Sequence, residues 1–445
     1  MEKLGRLLTS TWSSAILAVV LVFVYTANLK PIETLQLKTF DYIISSLQSK
    51  PSDEIIIVEF DEKTVEKFGQ WPFDRRDIAS TITKLRENGA GPIVMPILFS
   101  EKDRAGGDRN LTDTIKDNGI ILSQTPTTQD RKPDAVRRGF SSVGNDPLPW
   151  TYTWRGAIAP LSDLAGNSEG VGLLASIPES DGVVRRLPML ARIGNTLYPS
   201  LVLETLRVVA GDPSYQIKTS EAGIEFVRIP AFPPIATDQN GRIWLSWNTS
   251  FNKISATEIN ESVKNKIIVL GITIEGVGGI VATPIGEKWA HEIQAQALQT
   301  IIDGTSITRL AYAKVIEIIL LLLLMALLLF LVPRTSVKWT IPVYITIMAT
   351  CIMSAMYMFN ENLQLWDVSY IVVSSTIVYG HLVYNNFARE FRLKQQIKKQ
   401  FGTYLSPALV EKLQKNPEGL RLGGETRDLS IMFTDVRGFT TISEH

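Results

Sequence analysis

Cysteine is nearly absent: Cys351 is the only one in 445 residues. No intramolecular disulfide can form, so any exported part of the chain must stand on its apolar core alone. Histidine is almost as scarce. His291, His381 and His445 lie far apart, which argues against a histidine-rich zinc site. Net charge is missing too: 45 basic residues balance 45 acidic ones, so charge offers no general attraction to nucleic acid. At this length the chain has room for two or three domains.

What is present is apolar sequence in long runs. Residues 11–29 carry no charge before Lys30, and further runs occupy 314–332, 339–359 and 365–384. Each approaches the roughly 20 residues a helix needs to cross a bilayer's hydrocarbon core. Three of them in succession, joined by short loops, read as membrane spans rather than buried core helices.

Flanking cations set the orientation. Lys3 and Arg6 precede the first run, and Arg334 and Lys338 separate the second and third. Arg389, Arg392, Lys394, Lys398 and Lys399 follow the fourth, while the loop between the third and fourth has no cation. The consistent topology puts residues 1–10 and the C-terminal end in the cytoplasm and residues 30–313 outside. The first run has a long uncharged core for a cleaved signal peptide and reads as an uncleaved anchor. Glu317 and Asp367 fall near the outer ends of their spans, where snorkelling or water contact would account for them.

The external stretch alternates strand and helix signals. Residues 54–60, 93–99 and 120–122 read as buried strands, with further strands at 172–177, 183–190 and 267–272. Asp61 can cap a helix over 62–68. Asp74 can cap another over 75–87, whose apolar positions Ile78, Ile82 and Leu85 recur at three and four residues. Helices are also expected over 111–118, 200–209 and 291–302. This alternation implies a mainly parallel sheet covered on both faces.

Several segments resemble the second type of CHASE sensor, an extracellular module of bacterial cyclases and histidine kinases. They are Ile57-Val58-Glu59-Phe60-Asp61-Glu62, Gly69-Gln70-Trp71-Pro72-Phe73-Asp74-Arg75 and Leu98-Phe99-Ser100. Asp181-Gly182-Val183-Val184-Arg185-Arg186-Leu187-Pro188, Thr283-Pro284-Ile285-Gly286 and His291-Glu292-Ile293-Gln294-Ala295-Gln296-Ala297-Leu298 continue the series. They occur in the family's order. Pro96 departs from it where an acid commonly precedes the Leu-Phe pair, which puts a ligand site built on that acid in doubt. Trp71, Phe73 and Arg75 can line a pocket, and Asp181, Arg185 and Arg186 can pair with a polar ligand. The competing reading is structural: aromatic core packing, a helix cap and internal ion pairs.

Residues 385–420 read as a cytoplasmic connector. Phe387, Phe391, Ile397 and Phe401 punctuate a helix rich in Lys, Arg and Gln, either solvated or paired with a second copy. Ser406 and Pro407 can start a further helix. Residues 429–433 then read as a strand closed by Asp435, with Gly438 allowing a close turn into a helix. An acid at a strand's end beside free helix-start N–H groups suits a metal-bound nucleoside triphosphate, although an acid in that position is more often only a cap.

The run Phe433-Thr434-Asp435-Val436-Arg437-Gly438-Phe439-Thr440, after Leu422-Gly423-Gly424-Glu425-Thr426-Arg427, resembles the entrance of a class III adenylyl or guanylyl cyclase. Phe401-Gly402-Thr403-Tyr404-Leu405-Ser406-Pro407 is similar to the connector before such domains. The resemblance implies that residues 421–445 begin a ferredoxin-like α+β domain. It implies that Asp435 and Val436 hold Mg²⁺ or Mn²⁺, and that Gly438, Phe439 and Thr440 hold the phosphates of ATP (or GTP). It also implies a homodimer, with two metal ions assisting attack of a ribose 3′ oxygen on the α-phosphorus.

The expected whole is therefore an α/β extracytoplasmic sensor domain, four transmembrane helices and the start of a cyclase domain. It would sit in a bacterial cytoplasmic membrane and respond to an unidentified external stimulus. A sensor histidine kinase would need a phospho-acceptor histidine between Asn385 and Gln414, where there is none. A diguanylate cyclase would need an acidic hairpin after Gly423-Gly424 flanked by apolar strands, and polar Thr426-Arg427 follows Glu425 instead. A non-catalytic solute-binding receptor remains the other alternative.

Overall fold

The computed structural model describes residues 11–133, 139–402, 428 and 430–434. Residues 14–380 form one compact unit. The described part of the second unit comprises residues 11–13 and 381–402, which are helix ends, with residues 428 and 430–434, which carry no strand. Asp435, Val436, Gly438, Phe439 and Thr440 lie outside the described residues, as does the helix expected after Ser406. In the strand expected at 429–433, Ile431, Met432 and Phe433 are exposed and unpaired in any sheet. A strand needs a ladder partner to satisfy its backbone, and none faces them among the described residues.

The sheet at the centre of the external unit is mainly parallel, as the alternation predicts. Its strands are β1 (Lys50–Phe60), β2 (Ile93–Met95), β3 (Ile120–Thr127), β4 (Gly156–Ile158), β5 (Gly170–Leu173), β6 (Thr249–Ser255) and β7 (Ile267–Ile272). Their order is β6-β1-β7-β2-β3, with β5 parallel and β4 antiparallel to β3. Side chains at the centre of β1 alternate between two cores. Ile55 and Ile57 pack into one and Ile56 and Val58 into the other, which is why the run reads as uninterrupted branched aliphatics.

The helices on these faces begin where the caps predict. Asp61 accepts from the Thr64 N–H at the start of α3 (Glu62–Phe68), after α1 (Thr11–Thr26) and α2 (Lys30–Ser45). Asp74 accepts from the Arg76 N–H at the start of α4 (Arg75–Glu87), whose Ile78, Ile82 and Leu85 are buried. Next come α5 (Asp108–Ile115), α6 (Ser162–Asn167), α7 (Leu201–Ala210) with Ser200 as cap, and α8 (Ala290–Ile302). A hairpin of Ile280–Thr283 with Gly286–Trp289 leads into α8.

Among the described residues, two helices are long and apolar enough to cross a membrane, α9 (Ala313–Leu331) and α10 (Val337–Asn362), or three if the bent pair α1 and α2 is one span. Their exposed faces carry Leu322, Leu323, Phe330, Trp339, Ile345 and Met353, outward apolar surface that lipid would cover. The run expected as one crossing at 11–29 is divided. Helix α1 ends at Thr26, Asn28 turns through a left-handed φ of 50°, and α2 leaves at 76°. Helix α2 then buries Leu37, Phe40, Ile43 and Ile44 in the sensor core. The run at 365–384 falls in α11 (Ser369–Gly402), which continues without a break into the stretch expected as connector. Helix α11 is long enough but less apolar than α9 and α10, because its hydroxyls and His381 dilute it.

Candidate functional site

The six external residues singled out from the sequence separate into two places. Trp71 and Phe73 join Phe60 and Phe68 in an aromatic cluster, with the Trp71 and Phe73 ring centroids 5.1 Å apart and edge-on. Trp71 also edges a shallow pocket of about 320 Å³. Arg75 is buried and paired with Asp108 and the Glu101 carbonyl, its guanidinium over the Phe99 ring. This group is dominated by core packing and an internal ion pair.

Asp181, Arg185 and Arg186 do come together, and acids the sequence reading missed meet them. Arg185 is 0% exposed. Its fork spans two carboxylates: Asp41 on α2 at 2.6 and 2.7 Å, and Asp181 at 2.8 and 2.7 Å. Lys38, one turn before Asp41, approaches both acids. Arg186 donates to Glu179 at 2.7 Å through two nitrogens and to Asp238 at 3.0 Å. Arg242 closes the second cluster by donating to Asp238 at 2.8 Å.

Hydrogen bonds from Arg185, joined by the Val183 N–H and Lys38, hold the Asp181 carboxyl well below the usual carboxylate range despite its partial burial. A carboxyl depressed in the folded state contributes stability that is present above its ordinary value of 3.8. That contribution is lost as pH falls through the folded value. Asp181→Asn therefore forfeits it already at neutral pH. Thermal unfolding followed from neutral pH to about pH 2 should show a shallower acid limb than the parent; an equal slope would remove Asp181 from the account.

From these clusters a chain of contacts leads to the apolar helices. Arg186 lies over the Trp244 ring at 4.7 Å, and Trp244 meets Phe40 of α2 edge-on at 5.8 Å. Arg309 lies over Phe40 at 5.4 Å. Arg309 then donates to both Glu317 oxygens of α9, at 3.1 and 2.9 Å. Glu317 also accepts from the Tyr25 hydroxyl of α1 at 2.8 Å and from the Asp367 N–H at 2.7 Å. Asp367 accepts from Ser369 N–H and Oγ at 3.0 and 2.6 Å, capping α11.

Glu317 and Asp367 are each 1% exposed. The expectation that they snorkel or contact water is corrected. A carboxylate this buried is tolerable only when its lone pairs are filled, and Glu317 has four donors from three segments. One carboxylate thus fastens the segment after α8, through Arg309, to α1, α9 and the residues just before α11. Thr308 reinforces it by pairing with residues 363–365: its N–H donates to the Leu363 carbonyl, and its carbonyl accepts from the Leu365 N–H.

A cavity of about 860 Å³ opens beside this route. Arg186, Arg242, Trp150, Trp244, Arg309 and Lys314 are among its walls. A second pocket, of about 310 Å³, shares Arg309 and Lys314 and reaches Tyr25. An occupant of either would touch residues of this contact chain. Among the described residues no group of His, Cys, Asp and Glu is placed to hold a metal ion.

The family model of the CHASE2 domain matches residues 15–332. This chain belongs to the CHASE2 family. CHASE2 is a sensor domain found in receptor proteins, and with α9 and α10 it marks a membrane-associated, extracytoplasmic sensor. The match starts inside α1 and ends just past α9, so Tyr25, Arg309 and Glu317 belong to the CHASE2 unit and Asp367 lies beyond it. No curated protein and no solved structure matches the chain.

Asp41 escaped the sequence reading because Arg185 is 144 residues away, and Asp238 meets Arg186 across 52 residues. Glu179, Arg242 and Arg309 have a partner within eight residues, a spacing that marks no pair by itself outside a helix. Arg309 eight residues before an acid inside an apolar run was a local signal that could have found it.

Proposed function

We propose that this chain is the input part of a membrane receptor cyclase, with α1, α9, α10 and α11 as four crossings and both ends in the cytoplasm of a bacterial cell. The observation that carries the receptor reading is the Arg309–Glu317 contact, which ties the sensor's exit to three helices beside a cavity large enough for a small ligand. Binding in that cavity shifts the receptor only if the ligand prefers one arrangement of the relay.

The output is adenylate cyclase activity of the full-length protein on ATP, with GTP the alternative substrate. The supporting feature is the sequence from Phe433 to Thr440. Asp435 and the Val436 carbonyl offer hard oxygen donors of the kind Mg²⁺ and Mn²⁺ select. Such ions would lower the charge on the phosphates and on the attacking oxygen. The amides at Gly438, Phe439 and Thr440 would orient the triphosphate. Two chains would form the site together, and the exposed, stacked pair Phe387 and Phe391 on α11 gives a second copy an apolar stripe to meet.

The test is made on the complete gene product in membranes. Asp435→Ala should lose most cyclic AMP formation while its abundance and thermal unfolding match the parent. Undiminished turnover by that variant would end the cyclase reading and leave a non-catalytic receptor.

A further inference from the structure

His291 is the only histidine in residues 30–313. It is 5% exposed, in the first turn of α8. Its ring lies so close to Gly271 of β7 that a Cβ there would come within 2.4–2.5 Å of the imidazole. Only glycine at that position of the strand admits the ring.

The charged groups around it come from three elements. Glu59 stands near the end of β1, with Oε1 3.5 Å from His291 Nε2. Lys253 on β6 is 3.5 Å from Glu59 and 2.9 Å from Glu292. Glu292 belongs to α8 itself. From the other elements packed on α8, Glu204 and Arg207 of α7 are spent on each other. Glu287 and Lys288 of the hairpin make no ion pair with the imidazole. Among the described residues, neither Glu59 Oε1 nor His291 Nε2 has a hydrogen-bond partner.

The cluster is one positive charge short. Two carboxylates, the Glu59 one partly exposed, face a single ammonium that is 36% exposed, while the imidazole between strand and helix is neutral. Protonation of the imidazole brings the sum to zero. We propose that His291 is the proton-binding site of the sensor, closing onto Glu59 when the external medium acidifies. Burial opposes ionisation of Glu59, but His291 and Lys253 beside it hold the carboxyl below its usual range. Imidazole is the side chain whose charge ordinarily changes between about pH 5 and 8.

The position gives the proton leverage. Helix α8 runs roughly 17 Å from His291 to its end at Ile302, at about 1.5 Å per residue. The chain beyond it pairs Ile307 with Trp244 and then reaches Arg309. A contact that draws in the first turn of α8 therefore acts on the segment that holds Glu317. This deepens the receptor reading by naming a stimulus, and it rests on that reading only for the output.

The test uses the 445-residue chain in nanodiscs, labelled with ¹³C at its histidines, so the cyclase reading does not enter. His291→Gln identifies the His291 resonance by its loss. As the medium is acidified, that resonance should move from its neutral to its protonated position. Over the same acidification, hydrogen exchange corrected for intrinsic rates should slow several-fold in the peptide covering 290–302, and change at 305–312. His291→Gln and Glu59→Gln should each abolish this response. A resonance that fails to titrate, or an exchange response that survives in either variant, would overturn the proposal.

Discussion

Arg185→Ala should be among the most destabilising single changes in the sensor, lowering its stability by about 3–5 kcal/mol, the range for removing one partner of a buried ion pair. At a few degrees per kcal/mol for a domain of this size, the unfolding temperature should drop by roughly 10 °C. The reason is the residue's isolation from water. Its guanidinium is fully buried and fills both Asp41 and Asp181. Without it, two carboxylates stand side by side with only Lys38, itself largely exposed, to answer them. A triple variant, Arg185→Leu with Asp41→Asn and Asp181→Asn, removes the stranded charges and should regain much of the loss. If the single variant unfolds within about 2 °C of the parent, water reaches the cluster and the network carries little.

The sequence made some of this visible and hid the rest for physical reasons. Local rules read α3 and α4 to the residue, because Asp61 and Asp74 act within a single turn of the helix they start. Buried strands were legible in β1 and β7 because both faces are covered. The smaller sheets escaped: strands such as Ser214–Ser220 and Gly223–Arg228 carry polar and charged residues on one side, without the continuous aliphatic run that marks β1 and β7. Helix α2 escaped because it adjoins the apolar run of α1, although Asn28 and Pro31 at the start of α2 mark the 76° turn between them.

The site divided in the same way. Asp181, Arg185 and Arg186 were legible as charged residues clustered in sequence. Asp41 is 144 residues from Arg185, and Asp238 is 52 from Arg186, so no local pattern could pair them. Glu317 was visible as an acid in an apolar run, but its burial depends on Tyr25, 292 residues earlier.

Arg309→Ala is the second change with a large expected effect, and it tests the relay itself. The variant strips Glu317 of two charge-assisted hydrogen bonds and leaves a carboxylate that is 1% exposed. A cost of about 3–5 kcal/mol follows by the same reasoning as for Arg185. Stability alone would not separate a relay from a rivet, so the measurement needs a second readout. Hydrogen exchange should rise at the first turn of α9 and at residues 363–365, which Thr308 and Arg309 hold, while β1 and β7 keep their protection. Glu317→Gln added to Arg309→Ala should recover part of the loss, since a neutral amide needs no counter-charge. Arg309→Lys should recover little, because an ammonium cannot reproduce the fork to both oxygens. Spatial continuity through Trp244 and Phe40 is not coupling in itself. The decisive comparison is a double-mutant cycle between Phe40→Ala and Glu317→Gln, whose side chains meet only through Arg309. An interaction energy near zero would mean that the sensor and the apolar helices are fastened together but do not report to each other along this line.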